Sequence, residues 1–159
     1  MKVGVIADSH DNLVLIRAAV AWFNDEVEVG AVMHAGDYVA PFAVKELASL
    51  SVPLYGVFGN NDGEHAGINK VMPQIVDPPL HIDLDTRKIV VTHDLEALPD
   101  AAGNVADIVI CGHTHEPLVE RDGGLLVNPG ELGGWLTGRS TVAVIDLATL
   151  EVEIKQFDQ

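Results

Sequence analysis

Side chains able to bind metal stand in five clusters along this chain. Asp8-Ser9-His10, His34-Ala35-Gly36-Asp37, Gly59-Asn60-Asn61-Asp62, His93-Asp94 and Gly112-His113-Thr114-His115 each follow a short apolar run. Carboxylate and amide oxygens and imidazole nitrogens are hard to borderline donors that suit Mn, Fe, Ni, Zn or Mg. Singly, each cluster has an ordinary explanation. Asp8 or Asp37 alone reads as a solvated turn or a helix cap, and His93 alone as a satisfied histidine at a core edge. His113 and His115 alternate, so on a strand they would face the same side. Five clusters in order, each ending an apolar run, point instead to a binuclear metal site.

The runs at residues 3–7, 31–33, 54–58, 89–92 and 108–111 are rich in Val and Ile, as buried strands are. Donors at the same end of successive parallel strands converge on one sheet edge, where open α/β folds place their sites. After the first cluster, Asp11-Asn12 offers a helix cap. Leu13, Ile16, Val20, Phe23 and Val27 then recur at helical spacing. A second strand is expected near 29–33. Pro41 opens a second helix, with Phe42, Leu47 and Leu50 available for its buried side, and a third strand follows Pro53. This βαβαβ opening implies parallel strands with right-handed crossovers.

The second half changes style. Leu80, Ile82 and Leu84 alternate with His81, Asp83 and Asp85, a half-exposed strand, and Asp85-Thr86-Arg87 turns into a strand at 88–92. Residues 95–102 form a short helix candidate closed by Gly103. Another buried strand is expected at 107–111. Segments 118–121 and 125–127 flank Asp122-Gly123-Gly124, a hairpin signal. Segments 141–146 and 150–154 form a last strand pair with one wet face. A parallel half followed by an antiparallel half predicts two packed sheets flanked by helices.

At 159 residues the expectation is one domain over residues 1–159, with a sizeable core. No run approaches the roughly 20 apolar residues that span a bilayer, and no secretory signal pattern is visible. The single cysteine, Cys111, forms no internal disulfide, so a cytoplasmic protein is expected. The net charge of −15, from 24 acidic against 9 basic residues, repels polyanions and argues against extended nucleic-acid binding. Bound divalent ions would cancel part of that charge. The remainder reads as a soluble acidic surface, with adaptation to high salt as the sharper alternative.

The clusters fit the pattern D-x-H, G-D, G-N-[HCN]-[DE], a lone His after a strand, then G-H-x-H. The turn Val127-Asn128-Pro129-Gly130 extends the match. On these motifs the chain resembles the calcineurin-like metallophosphoesterases and, within them, the small YfcE-like phosphodiesterases. The resemblance implies a four-layer α/β/β/α sandwich of two mixed sheets flanked by helices, with two divalent metal ions at the strand ends. Asp8, His10, Asp37 and His115 would hold one ion; Asp37, Asn60, His93 and His113 would hold the other, with Asp37 bridging. Mn or Ni is favoured over Fe, Mg or Zn. A metal-bridging hydroxide would attack phosphorus in line. The implied substrate is a small phosphate ester, a diester ahead of a monoester. No membrane partner is expected, and a homo-oligomer stays open. The alternatives are a protein-binding scaffold without activity, as in the retromer subunit of this fold, and a phosphomonoesterase or nucleotide phosphatase on the same site.

Three departures from the family pattern matter. Asn61 stands where well-studied branches carry a histidine able to protonate the leaving group; an asparagine donates a hydrogen bond but is no general acid. Asp94 replaces the glycine of a common His-Gly-His. Glu131 follows Asn128-Pro129-Gly130 where Ser is usual, and is expected to add negative charge beside the substrate. Asn61, Asp62 and His34 are the candidate catalytic and supporting residues, with His34 read as hydrogen-bonded to a ligand. Arg139 could touch a phosphate or form a surface salt bridge. Gly36, Gly59 and Gly112 are expected to let the backbone turn beside the ions. His65 and His81 read as surface residues, and Cys111 as inert packing.

Overall fold

The computed structural model describes residues 1–99, 103 and 105–158. Two mixed sheets lie face to face, as the α/β expectation required. The first runs β11-β10-β1-β2-β3-β4 and the second β5-β6-β7-β9-β8. In chain order the strands are β1 Lys2–Ile6, β2 Ala31–His34, β3 Leu54–Val57, β4 Ile75–Val76, β5 Leu80–Leu84 and β6 Arg87–Val91. They continue as β7 Ile108–Ile110, β8 Pro117–Arg121, β9 Leu125–Pro129, β10 Ser140–Asp146 and β11 Val152–Phe157. Alternation decides which face each residue serves. Val3 and Val5 point into the apolar layer between the sheets, with Met33, Val57, Ile89, Ile108 and Val127. Ile6 and Val32 point the other way, under the helices.

Three described helices cover that outer face of the first sheet: α1 Leu13–Asp25, α2 Pro41–Leu47 and α3 His65–Val71. Asn12 starts α1 by accepting the Leu15 N–H on its side chain. Ile16, Val20 and Phe23 are buried, and Leu13 and Val27 pack partly against them, as their spacing predicts. α2 begins at Pro41 and buries Ala43, Val44 and Leu47. Phe42 is the exception: it is 50% exposed, so it does not serve the buried side expected of it. α3 and β4 carry no sequence signal, because α3 buries only Ile68 and β4 is two residues long.

Two expectations change. The second half is not antiparallel throughout: β6, β7 and β9 pair in parallel, and only the β5–β6 and β8–β9 hairpins are antiparallel. The last strand pair, β10–β11, belongs to the first sheet, where β10 pairs antiparallel with β1. Residues 95–99 are turns and bends, and the rest of the expected helix at 95–102 lies at positions 100–102, outside the described residues. No described helix is long and apolar enough to cross a membrane.

Candidate metal centre

Two parallel triplets therefore exist, β1-β2-β3 in one sheet and β6-β7-β9 in the other. The donor clusters leave the C-terminal ends of both, so the site joins two sheets rather than lining one edge. Contacts across the gap tie Asp37 to His93, Asn60 to His113 and Asp8 to His115. Tight reversals turn the side chains inward. Asp8, His10, Asp37, His113 and His115 all have left-handed backbones, with φ of 50, 40, 62, 71 and 63°. Such conformations are uncommon outside glycine and cluster at functional sites. His113 and His115 thus sit in a loop, not on the strand that their alternation suggested. Gly59 is needed for close approach, since a Cβ there would collide with the Asp37 carboxylate. Gly36 has φ +97°, and a Cβ there would meet Gly59 and His93.

The donor atoms form two neighbouring groups. In the first, His10 Nε2 lies 3.8 Å from Asp8 Oδ1 and 3.5 Å from Asp37 Oδ2. His115 Nε2 lies 3.7 Å from Asp8 Oδ1, and its ring stacks on His10 with centroids 5.1 Å apart. Asp8 Oδ1 and His10 Nε2 are buried and have no hydrogen-bond partner. Buried polar atoms left unpaired are costly. A cation between them would satisfy both.

In the second group, Asn60 Oδ1 lies 2.8 Å from His93 Nε2 and 2.9 Å from His113 Nδ1. His93 Nδ1 is 2.8 Å from the Ala35 carbonyl, which can only accept, so Nδ1 carries a proton there. A neutral His93 then aims the Nε2 lone pair at the Asn60 oxygen. Two lone pairs facing each other need a positive charge between them, a proton or a metal ion. Spacings of 2.8, 2.9 and 3.2 Å among these three atoms also match the edge of a coordination octahedron, roughly 3 Å for ligands about 2.1 Å from an ion. The donor set fits divalent metal on both counts. Two sets of side chains, Asp8-His10-His115 and Asp8-Asp37-His93, bring their ligand atoms within 4.8 Å of one another.

Buried electrostatics point the same way. Burial pushes the Asp8 carboxyl up to about 7, with His115 opposing and Asp37 adding to the rise. Burial lowers His10, against the pull of Asp37. An acid pushed toward its neutral form beside a base pushed toward its own is the pattern that a bound cation would reverse.

The supporting residues hold surprises. Glu131 does not flank a substrate. It is buried behind His115, accepting from His115 Nδ1 at 3.0 Å. It also accepts from the backbones of Trp135, Leu136 and Thr137 and from the Thr137 hydroxyl. Burial alone would raise its carboxyl, but the Thr137 donors and His115 outweigh that and hold it below its ordinary value. A carboxylate behind a histidine fixes the tautomer and aims the far nitrogen. Asn128 donates to the Gly112 carbonyl and the Thr114 hydroxyl, bracing the loop that carries His113 and His115. Both positions stand out in the sequence without revealing these tasks, for which the carboxylate at 131 is the one signal.

Asp62 commits both oxygens to backbone: Oδ2 accepts from Gly59 and Asp37, Oδ1 from Val39. It clamps the ligand loops together. Burial raises its carboxyl although these bonds oppose the rise. His34 is fully buried, accepts from Gly36 N–H and donates to the Ser9 hydroxyl. Burial holds it well below the usual histidine range. It bonds no ligand side chain, contrary to expectation, and braces the loop between them. Asn61 is exposed and gives both donors to Asp37, its N–H at 2.8 Å and its side-chain amide at 2.7 Å. Asp94 caps a turn at Glu96. Arg139 pairs with Glu116 at 2.5 Å, the salt-bridge alternative. His65 and His81 are exposed. Cys111 is buried, with its thiol pushed up to about 12 by burial, and is inert.

Residues 1–150 match the Calcineurin-like phosphoesterase superfamily domain. The chain is 37% identical over 155 residues to a phosphodiesterase of Methanocaldococcus jannaschii, covering 92% of this chain and 93% of that protein. It is 33% identical over 135 residues to a probable metallophosphoesterase of Methanothermobacter thermautotrophicus, covering 82% and 76%. Among solved structures, an archaeal phosphodiesterase superposes with a TM-score of 0.89 at 36% identity, covering 99% of this chain and 100% of that one. Vps29 of Entamoeba histolytica shares the fold at a TM-score of 0.72 and 18% identity, covering 99% and 100%. The motifs, the two-sheet architecture and these matches agree: the chain belongs to the calcineurin-like phosphoesterase superfamily.

Proposed function

We propose that this protein is a divalent-metal-dependent phosphodiesterase with two ions per chain. One ion would be held by Asp8, His10, Asp37 and His115, the other by Asp37, Asn60, His93 and His113. The observation that carries the reading is the pair of buried, unpartnered atoms, Asp8 Oδ1 and His10 Nε2, beside the opposed lone pairs of His93 and Asn60. When bound, the two ions would polarise the phosphoryl oxygens and acidify the water that attacks phosphorus in line.

The chain's own residues position and neutralise. Glu131 keeps the proton on His115 Nδ1, and the Ala35 carbonyl keeps it on His93 Nδ1, so both Nε2 atoms face the centre. Asn61 is exposed at the rim, where one side-chain N–H goes to Asp37 and the second would be the one to meet a phosphoryl oxygen. It cannot protonate the departing alkoxide.

Preference for a diester rests on different ground from that expected. With Glu131 buried, it adds no charge to the rim. The support is instead that Arg139 is tied to Glu116 and that relatives above 30% identity include a phosphodiesterase. A monoester carries close to two negative charges and needs such a cation more than a diester does. A cytoplasmic setting, with Mn or Ni as the ions, completes the proposal; its support is the lone, unpaired Cys111 and the mixed nitrogen and oxygen donor set. The likeness to Vps29 keeps a scaffold role as the second reading. Metal-stripped protein assayed on an aryl diester, before and after Mn, Ni or Mg is restored, separates the two. Turnover that returns with metal supports the enzyme. Failure to turn over any diester or monoester with two ions bound supports the scaffold.

A further inference from the structure

Trp135 is 65% exposed and Leu136 75% exposed, among the most exposed large apolar residues in the described chain. Trp135 is nonetheless held firmly. Its indole Nε1 donates to the His10 carbonyl at 3.0 Å. Its backbone N–H donates to the same Glu131 oxygen that receives His115 Nδ1. Gly133 lets the ring lie close, since a Cβ there would stand 3.0 Å from Trp135 Cδ1 and 3.1 Å from the Asp8 carbonyl. The loop is stitched to the first strand's exit as well: Leu132 and Gly133 donate to the Ala7 and Asp8 carbonyls. The hydrogen bond fixes the indole in place while 65% of it stays open, so a rigid flat face is presented to solvent.

The ring borders a cleft of ≈ 250 Å³ lined by Asn12, Val14, Leu15, Gly133, Trp135 and Asp158. Asn12 bonds Gly133 across it, and Val14 is 75% exposed on its far side. Trp135 thus ties this partly apolar cleft to the backbone of His10, whose imidazole stacks on that of His115. Esters of phosphate have two ends, a charged phosphoryl group and an organic group. The candidate metal donors are themselves polar, and this cleft reaches them through Trp135 and Gly133, which bond the His10 and Asp8 carbonyls.

We propose that Trp135 and the adjoining cleft form the subsite for the organic group of the ester, and that the group it takes is an uncharged planar ring. The inference rests on the phosphodiesterase reading above. Offset stacking on a fixed indole favours flat rings over alkyl chains of similar area. The charge of −15 and Asp158 in the lining disfavour any further anionic group at that end. Trp135 is a specificity residue here, with no proton to give or take in the reaction.

Phenylphosphonate and methylphosphonate share an anionic head with a non-hydrolysable bond and differ in the ring. Both would be titrated calorimetrically into Mn-loaded wild type, Trp135→Ala and Trp135→Phe, with metal content measured in each. The expected result is tighter binding of phenylphosphonate to wild type, a loss of about tenfold in Trp135→Ala for that ligand alone, and most of the preference kept in Trp135→Phe. Metal content stays equal, and for an aryl diester KM rises while kcat holds. A purine nucleoside phosphonate run in parallel tells a nucleobase from a simple aryl ring; tighter binding of either ring than of methyl supports the subsite. Equal weakening of both phosphonates in Trp135→Ala, no weakening, or a Phe variant as poor as Ala would overturn it, leaving the indole as a brace for His10. Binding of no phosphonate to metal-loaded wild type would overturn the phosphoester reading itself, and the subsite with it.

Discussion

The two halves of the candidate centre differ in how their donors spend their bonding capacity. Around Asp8, His10, Asp37 and His115, neighbouring donor atoms are 3.5–3.8 Å apart and two of them, Asp8 Oδ1 and His10 Nε2, have no hydrogen-bond partner. Around Asn60, His93 and His113, the atoms touch at 2.8–3.2 Å, and a single proton can satisfy them mutually. In the first half Asp8 is buried and His10 and His115 are half-buried, with His115 braced by Glu131; in the second, His93 is buried while Asn60 and His113 are exposed. A site whose donors are held apart and idle loses little on binding an ion. One whose donors are already bonded to one another must give up those bonds first. The difference predicts two ions of unequal affinity, tight at the first half and weak at the second.

The most damaging change should be Asp37→Asn, because that carboxylate approaches His10 and His93 at 3.5 Å each and so serves both halves. Activity on an aryl diester should fall at least about a hundredfold, comparable with removing a ligand-orienting group or more, and both metal steps should weaken. Near-normal rate with two ions retained would dissolve the comparison, since no residue would then join the halves.

Asp8→Asn strikes the first half hardest, although Asp8 Oδ2 also accepts from the His113 backbone. Its carboxyl is raised from 3.8 to about 7 by burial. The folded, metal-free protein therefore binds more protons than the unfolded chain between those values. Stability from this group is full below pH 3.8, falls as pH rises, and is lost above 7. The limit of that loss is about 4 kcal/mol. Metal-free Asp8→Asn should melt higher than wild type at pH 8 and show less decline from pH 4 to 7, while binding one ion weakly. A variant that melts lower at pH 8 would mean that the Asp8 charge is already compensated.

Glu131→Gln sharpens the comparison from outside the ligand set. Loss of the carboxylate behind His115 should cost the tight step about 10- to 100-fold in metal affinity and leave the weak step within a factor of about two. Equal loss at both steps would make Glu131 a general loop brace. The smallest effect is expected of Asn61→His. Aryl diesters should be cleaved far faster than alkyl diesters by wild type, and the new imidazole should narrow that gap by about tenfold, below the 10²–10⁴ of a well-placed acid. The reason is Asp62, whose oxygens are taken by Gly59, Asp37 and Val39 and so cannot orient it. Absence of leaving-group dependence in wild type would place the proton donor elsewhere.

Much of the candidate centre is legible because potential donors are typed by chemistry and ordered by strands. The seven expected donors do gather, across the ends of both sheets. What pattern could not supply was pairing between distant segments. Nothing in residues 140–157 says that β10 joins β1 rather than extending the second sheet, because an apolar strand fits either partner. α3 was invisible because a helix burying one residue has no stripe to detect. Glu131 was misread for a related reason: a carboxylate near a site in sequence is solvent-facing by default, and only the turn at residues 131–137 buries it against its donors. Likewise His34 and Asp62 carry ligand-type chemistry yet spend it on backbone.

Calorimetric titration of Mn into metal-stripped wild type tests the central claim most directly. Two ions per chain should bind, with dissociation constants at least about tenfold apart. One ion, none, or two of equal affinity would contradict the account of two unlike halves bridged by Asp37.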